Sequence, residues 1–261
     1  MRNVFAIAKV VLLEMYRRKD FYVLFIVTVL ITATMGSVTF FHDAGIDRYL
    51  KDLCLFLILA SSLFIAIGAT ARQIPAERES RTIFPLMAKP VSRGEILVGK
   101  FLGCWLACGA ALLIFYIFFG CMVLAHEHSL PLATLAAYFQ AASLHWAMLA
   151  VVVAMTLLGS LVFTAVSSNV TIAFISVVFI LLVGRHLHKV ALHMSEISGT
   201  VITGLYFIIP HLELFDVRDL IVHDWGAVPW AYWAIDIVYA AFYSALLLLA
   251  SWLVFRKKVL Q

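Results

Sequence analysis

Long apolar runs alternate with short polar intervals along this chain. The runs fall at about residues 21–41, 53–71, 96–124, 132–166, 170–184 and 233–255. Most reach the roughly 20 residues that carry a helix across about 30 Å of hydrocarbon. Their apolar positions are continuous rather than alternating, which argues against barrel strands. The pattern predicts an all-α polytopic membrane protein with six transmembrane helices.

Residues 1–19 read differently. Arg2, Lys9, Arg17, Arg18 and Lys19 are interleaved with Phe5, Ile7, Val11, Leu12 and Met15, the pattern of an amphipathic helix at a membrane surface. A secretory signal peptide is the rival reading. It is disfavoured because the run after Asp20 is about twice the usual length and no small-x-small cleavage site follows. Between spans 5 and 6, residues 185–232 hold one short apolar stretch, Gly199 to Pro210, too short to cross. Backbone at membrane depth must be buried in protein or line a cavity. The segment is therefore expected to be re-entrant or interfacial, and a candidate outer gate, with Tyr206, Pro210, His211 and Phe215 as the gate residues.

Composition agrees with the pattern: 64% hydrophobic and 13% charged residues, with a mean hydropathy of +1.03, leave no room for a sizeable soluble domain. An even number of spans puts both ends on one side. The first residues, the 72–100 interval and the last residues carry 14 Lys and Arg, and the opposite loops carry 5. By the positive-inside rule, both ends and the 72–100 interval are expected in the cytoplasm, and the chain in the inner, cytoplasmic membrane. All four cysteines (Cys54, Cys104, Cys108, Cys121) lie in apolar runs and read as free core thiols.

The 72–100 interval is the most basic polar stretch between spans. It holds Arg72, Arg78, Arg81, Lys89, Arg93 and Lys100 against Glu77, Glu79 and Glu95, and it is where such a protein would touch a soluble partner. Gly94 to Lys100 matches G-x-x-x-x-G-K, the start of a phosphate-binding loop. Phe101 stands where Ser or Thr would hold Mg²⁺, no strand precedes the run and a transmembrane helix follows. No ATP hydrolysis is expected of this chain.

Glu77, Glu79, Thr82, Ile83, Leu86, Met87, Pro90, Val91, Ser92, Arg93, Gly99 and Lys100 together resemble the cytoplasmic loop of ABC-2 type transporter permeases, E-x-E-x-x-T-(L/I)-x-x-L-(L/M)-x-x-P-(V/I)-S-R followed by G-K. Arg81 departs from the usual Gly, and Pro85 interrupts the segment. The stretch Tyr206 to Asp219 similarly resembles the outer P-N-(L/F)-x-x-F-(D/N) element, with His211 in place of Asn. With the six-span layout, the likeness covers nearly all of 1–261 as a single transmembrane domain. It implies a coupling helix, about Ala76 to Met87, that docks in a cleft of a separate ATPase subunit. Glu77, Arg78, Glu79, Arg81, Thr82, Ile83 and Leu86 would form the contact, with Glu77, Arg78 and Arg81 facing the partner and Ile83 and Leu86 packing inward or into its groove. It further implies a homodimer of permeases in the lipid bilayer, ATP and Mg²⁺ held by the partner and no cofactor in this chain; no nucleic-acid partner is expected.

Eight of the nine histidines lie outside the spans, including the i,i+2 pairs His126/His128 and His186/His188. They raise a metal-linked cargo as an alternative, but interfacial polar residues are the plainer reading and no ligands are assigned. His145 in span 4 reads as an interhelical hydrogen bond. No chain of buried acids or histidines crosses the bundle, which argues against a proton-driven pump and against an intramembrane enzyme. The reading is an ATP-driven exporter permease of unknown substrate; a non-transporting membrane anchor for an ATPase is the other reading the same loop would serve.

Overall fold

The computed structural model describes residues 2–17, 22, 26, 29–30, 44–80, 91–127, 132–192, 204, 206, 208–223 and 225–257. The predicted first span, 21–41, lies mostly outside them; Tyr22, Ile26, Val29 and Leu30 are described, all helical. The described elements are α1 (Arg2–Tyr16), α2 (Ala44–Ala71), α3 (Pro75–Glu79), α4 (Arg93–Glu127), α5 (Leu132–Val162), α6 (Val166–Leu192), a 3-10 turn (Leu212–Phe215), α7 (Arg218–Val222) and α8 (Trp230–Lys257). Among the described residues there is no strand, and five helices (α2, α4, α5, α6 and α8) are long and apolar enough to cross a membrane. The protein is all-α and multi-pass.

α5 is the axis of the bundle, in contact with α2, α4, α6, α8 and the 3-10 turn. Consecutive residues from Ala147 to Ala154 are all buried. A helix buries successive positions only when neighbours surround it. α8 lies at the edge and leaves Ile235, Val238, Phe242, Leu246, Leu249 and Leu253 exposed. An apolar stripe at helical spacing is stable there because lipid solvates it.

Two boundaries differ from the expectation. α2 spans Ala44–Ala71, so Asp47, Arg48 and Lys51, expected in a loop, fall in its first turns. α6 runs to Leu192 rather than stopping at Gly184. Hydropathy registers where hydrocarbon ends, whereas helical hydrogen bonding continues into the interface, where Lys and Arg are good helix formers. Positions 186 and 188 consequently fall within a helix, where residues two apart occupy different faces.

The Gly99-x-x-x-Gly103 spacing at the start of α4 is used by α1. A Cβ on Gly99 would lie 2.8 Å from Ile7 Cβ, and one on Gly103 2.6 Å from Val11 Cβ. The order of these contacts means that α1 runs along α4 in the same direction, rather than lying alone at a surface. Ala8, Val11 and Met15 are buried in that contact, while Phe5, Val10, Leu13 and Tyr16 stay exposed. Cys54, Cys104 and Cys108 are buried free thiols, and the Cys121 thiol is exposed on α4.

Candidate functional site

The charged interval after α2 begins as a tight turn. Pro75 opens α3, where a missing N–H costs nothing and its fixed φ suits the first turn. Glu77 in that turn favours the positive helix end. Ser80 is the C-cap of the described helix, and its hydroxyl donates to Ala76 O at 2.8 Å, a back-bond that weakens and bends helices. Gln73, Ile74 and Pro75 are buried, while Glu79 and Ser80 are exposed.

Lys100 locks this turn to α4. Only 1% exposed, it donates from Nζ to Gln73 O at 3.0 Å and pairs with Glu77 Oε1 at 2.7 Å. A buried ammonium is tolerated when charge and hydrogen bonds meet it, and this niche supplies both. Glu77, expected to face a partner, therefore turns its carboxylate toward its own α4. Arg78, half-buried, and exposed Glu79 are left on the outer side. Arg81, Thr82, Ile83 and Leu86 lie outside the described residues, so the extent of the predicted Ala76–Met87 helix beyond Glu79 is not described. The Gly94–Lys100 run is helical throughout, with its lysine held by Gln73 and Glu77 instead of being arranged as a phosphate loop.

The far end of the interval is tied down as well. Ser92 and Glu95 form a capping box: Ser92 N donates to Glu95 Oε2 at 2.9 Å, and Glu95 N donates to Ser92 Oγ at 3.2 Å. The S-x-x-E spacing was a legible signal for it. Arg93 Nη1 donates to Phe255 O at 2.6 Å and to Arg256 O at 3.0 Å, satisfying carbonyls of the last turn of α8. Its guanidinium also sits over the Phe255 ring at 5.5 Å.

Asn169, in the first turn of α6, completes the arrangement. It is 1% exposed, and its Nδ2 donates to Ala71 O at 3.4 Å and Thr156 O at 3.2 Å. One amide thus joins the end of α2, α5 and the start of α6, and the formal glycosylation sequon at Asn169 is sealed in protein. The approach requires Gly159, where a Cβ would fall 2.2 Å from Asn169 Oδ1.

At the other end of the bundle, the 3-10 turn and α7 pack against α2, α5 and α6. Leu212 and Phe215 are fully buried. Two of the predicted gate residues, His211 and Phe215, lie against Tyr239 of α8, and Tyr206 lies against His211; the sequence reading missed Tyr239 because a tyrosine in an apolar helix looks like core. The His211 ring lies 4.3 Å from Tyr206 and stacks on Tyr239 at 6.2 Å, and Phe215 lies 6.3 Å from Tyr239. His211 N donates to Tyr239 Oη at 2.9 Å, and Pro210 O accepts from Leu212 N. Gln140 exchanges two bonds with the Val228 backbone, at 2.9 and 2.8 Å. His145 makes the expected interhelical bond, with Tyr116 Oη 2.7 Å from its Nδ1. Among the described residues no three His, Cys, Asp or Glu side chains converge on a metal-sized site.

Asp216 and Arg218 hold the turn between the 3-10 helix and α7 with two bonds, Nε to Oδ1 at 2.7 Å and Nη2 to Oδ2 at 2.8 Å, and Arg218 lies over Phe56 of α2 at 5.6 Å. Burial by itself raises the Asp216 pKa, but the hydrogen bonds and charge of Arg218 outweigh it, so the net shift is downward. The stabilisation is therefore fully present above the unfolded value, about 3.9, and is lost as pH falls through the lower folded value. Asp216→Asn is expected to cost about 1.5–3 kcal/mol at neutral pH, the range for bonds to charged groups. It should also flatten the acid limb of a melting profile taken from pH 7 to 3; an unchanged acid limb would contradict this role.

Residues 39–255 match the family model described as ABC-2 family transporter protein. The "Probable ABC transporter permease protein NosY" of Stutzerimonas stutzeri is 33% identical over 127 residues, 49% of this chain and 41% of that protein. The matched stretch thus spans less than half the length of that relative. With most of its length matched, and with five helices able to cross a membrane, this chain belongs to the ABC-2 family of transporter permeases.

Proposed function

We propose that this chain is the membrane-spanning subunit of an ATP-driven exporter, coupled to a separate ATPase subunit through the 72–100 interval. One observation carries the reading: the interval is anchored at both ends to different spans. Lys100 fixes its start to α4, and Arg93 fixes its finish to the end of α8. A load applied to α3 would reach α4 directly and, through Ala71 and Asn169, α5 and α6. ATP and Mg²⁺ bind in the ATPase. Both ends of the chain lie in the cytoplasm of a cell with this protein in its inner membrane. Two copies pair in the bilayer, and the Tyr206–Phe215 cluster closes the outer end of the path between them.

Arg78 and Arg81, together with Glu79, are the docking charges. Such charges set register and specificity more than raw affinity. Glu77 is a poor test position because reversing it would break its pair with Lys100. Arg78→Glu with Arg81→Glu should leave the melting temperature within about 4 °C of wild type, the effect of roughly 1 kcal/mol for two charge changes in a chain of this size. Recovery of the ATPase with the tagged chain should fall at least tenfold. Normal ATPase recovery and transport by this variant would overturn the reading.

A further inference from the structure

Between α4, α5 and α8 lies a cavity of about 880 Å³. Its floor is a pair of stacked indoles, Trp105 and Trp146, with centroids 4.5 Å apart. Each ring N–H donates to the other residue's backbone carbonyl, at 2.9 and 3.3 Å. Gly109 makes room for the pair, because a Cβ there would meet Trp146 Nε1 at 2.3 Å. The floor is rigid and its donors are satisfied. On the wall, Trp233 Nε1 donates to Ser143 Oγ at 2.9 Å, and Ser143 Oγ donates to Gln140 O at 2.9 Å.

The Ser244 hydroxyl differs. The residue lines the cavity and is 5% exposed, and its Oγ, itself buried, has no hydrogen-bond partner among the described residues. Ser62, Ser160 and Ser251, also buried in spans, each return the hydroxyl to a carbonyl of their own helix, at 2.6–2.8 Å. A buried unsatisfied hydroxyl costs about 1–3 kcal/mol, so an occupant that bonds it is favoured. Water is a poor occupant, because a buried water needs two to four polar partners and the lining is otherwise apolar or already paired. A transmembrane helix of a second copy is a poor one too. About 10 Å across and 30 Å long, it displaces roughly 2,400 Å³. The volume instead suits a drug-sized molecule, for which pockets run about 300–1,000 Å³. Ser244 is about 20 Å from either end of α8 at 1.5 Å per residue, near the middle of the bilayer.

We propose that this cavity binds a bilayer-soluble amphipathic molecule, a long chain or ring body with one hydrogen-bonding oxygen that meets Ser244 Oγ. Binding at this site stands apart from the ATPase coupling proposed above, and it can be read without it.

The test uses the purified full chain in lipid nanodiscs and two photoreactive probes, a long-chain alcohol and the matching hydrocarbon, each carrying a diazirine and an alkyne. Mapped by mass spectrometry, the alcohol should label peptides containing Trp105, Trp146 and Ser244. It should do so about fivefold more than the hydrocarbon, the ratio of one neutral hydrogen bond. Ser244→Ala should remove that preference, and Ala241→Phe, which fills the cavity, should lower labelling of all three at least tenfold. Equal labelling by the two probes in the unmodified chain would overturn the role of Ser244 without recourse to any variant. Labelling confined to the outward stripe of α8, or cysteine cross-links placing a second copy in the cavity, would overturn the site itself.

Discussion

Lys100→Met should lower the melting temperature of the detergent-solubilised protein by about 6–12 °C, on the basis of about 3 kcal/mol and roughly 2–4 °C per kcal/mol for a chain of this size. The magnitude follows from what is left behind. Methionine fills most of the lysine's volume, so little cavity forms. Glu77, however, loses the ammonium at 2.7 Å, and Gln73 O loses a charged donor. Removing one partner of a buried pair costs about 3–5 kcal/mol. The Glu77 side chain is 31% exposed and can recover some hydration, which sets the expectation at the low end. Glu77→Gln should cost at least as much, because the ammonium left without its counter-charge is only 1% exposed and, unlike the Glu77 carboxylate, cannot recover hydration. The double variant should be less destabilised than the two single losses added together, since the residues share one interaction. The lever reading adds a functional consequence: ATPase binding should survive Lys100→Met while its stimulation by the permease falls. A variant melting at the wild-type temperature would remove Lys100 from the coupling.

The all-α, multi-pass character and the charged stretch between α2 and α4 were open to a reader of the sequence because both rest on composition. Continuous apolar runs leave few alternatives to helices in lipid. Direction was harder to read. Glu77 looked like a docking charge because its counter-ion lies 23 positions later, in a run whose G-x-x-x-x-G-K spacing drew attention to phosphate. Only the fold brings the two together. The Gly99/Gly103 spacing allows a close helix contact but is common in membrane helices, and nothing in it names α1 as the partner. Asn169 sits in a formal sequon that carries no structural information, whereas its work is to join Ala71 at the end of α2 and Thr156 within α5 to the start of α6. The Trp105/Trp146 staple and Tyr239 were invisible for another reason: an aromatic residue in an apolar helix carries no mark of whether its polar atom finds a partner. The Ser92–Glu95 box was the opposite case, a local motif that can be read from spacing alone.

Asn169→Leu is expected to be the other large effect, and it tests the path of force rather than the docking surface. Leucine keeps the branching of asparagine but is larger, and beside Gly159 it has little room, so some overpacking adds to the loss of hydrogen bonds. Asn169 Nδ2 uses both amide hydrogens, one on Ala71 O and one on Thr156 O. Ala71 is the last residue of α2, where carbonyls have no helical donor. The Ala71 carbonyl left without a donor costs about 1–3 kcal/mol, and loss of the bond to Thr156 O, which lies inside α5, about 0.5–1.5 kcal/mol, or roughly 1.5–4.5 kcal/mol together. Gly159→Ala should reproduce the loss from the other side, because its Cβ would push against Asn169 Oδ1. Ser168→Ala, at the exposed neighbouring position, should stay within about 0.5 kcal/mol of wild type. The distinguishing measurement is hydrogen exchange. Amides of residues 73–78, which follow the freed Ala71 carbonyl, should exchange faster in Asn169→Leu and Gly159→Ala, and the ends of α5 and α6 should loosen with them. If the melting temperature falls while residues 73–78 keep their protection, Asn169 merely fills the core and the force from α3 travels by Lys100 alone.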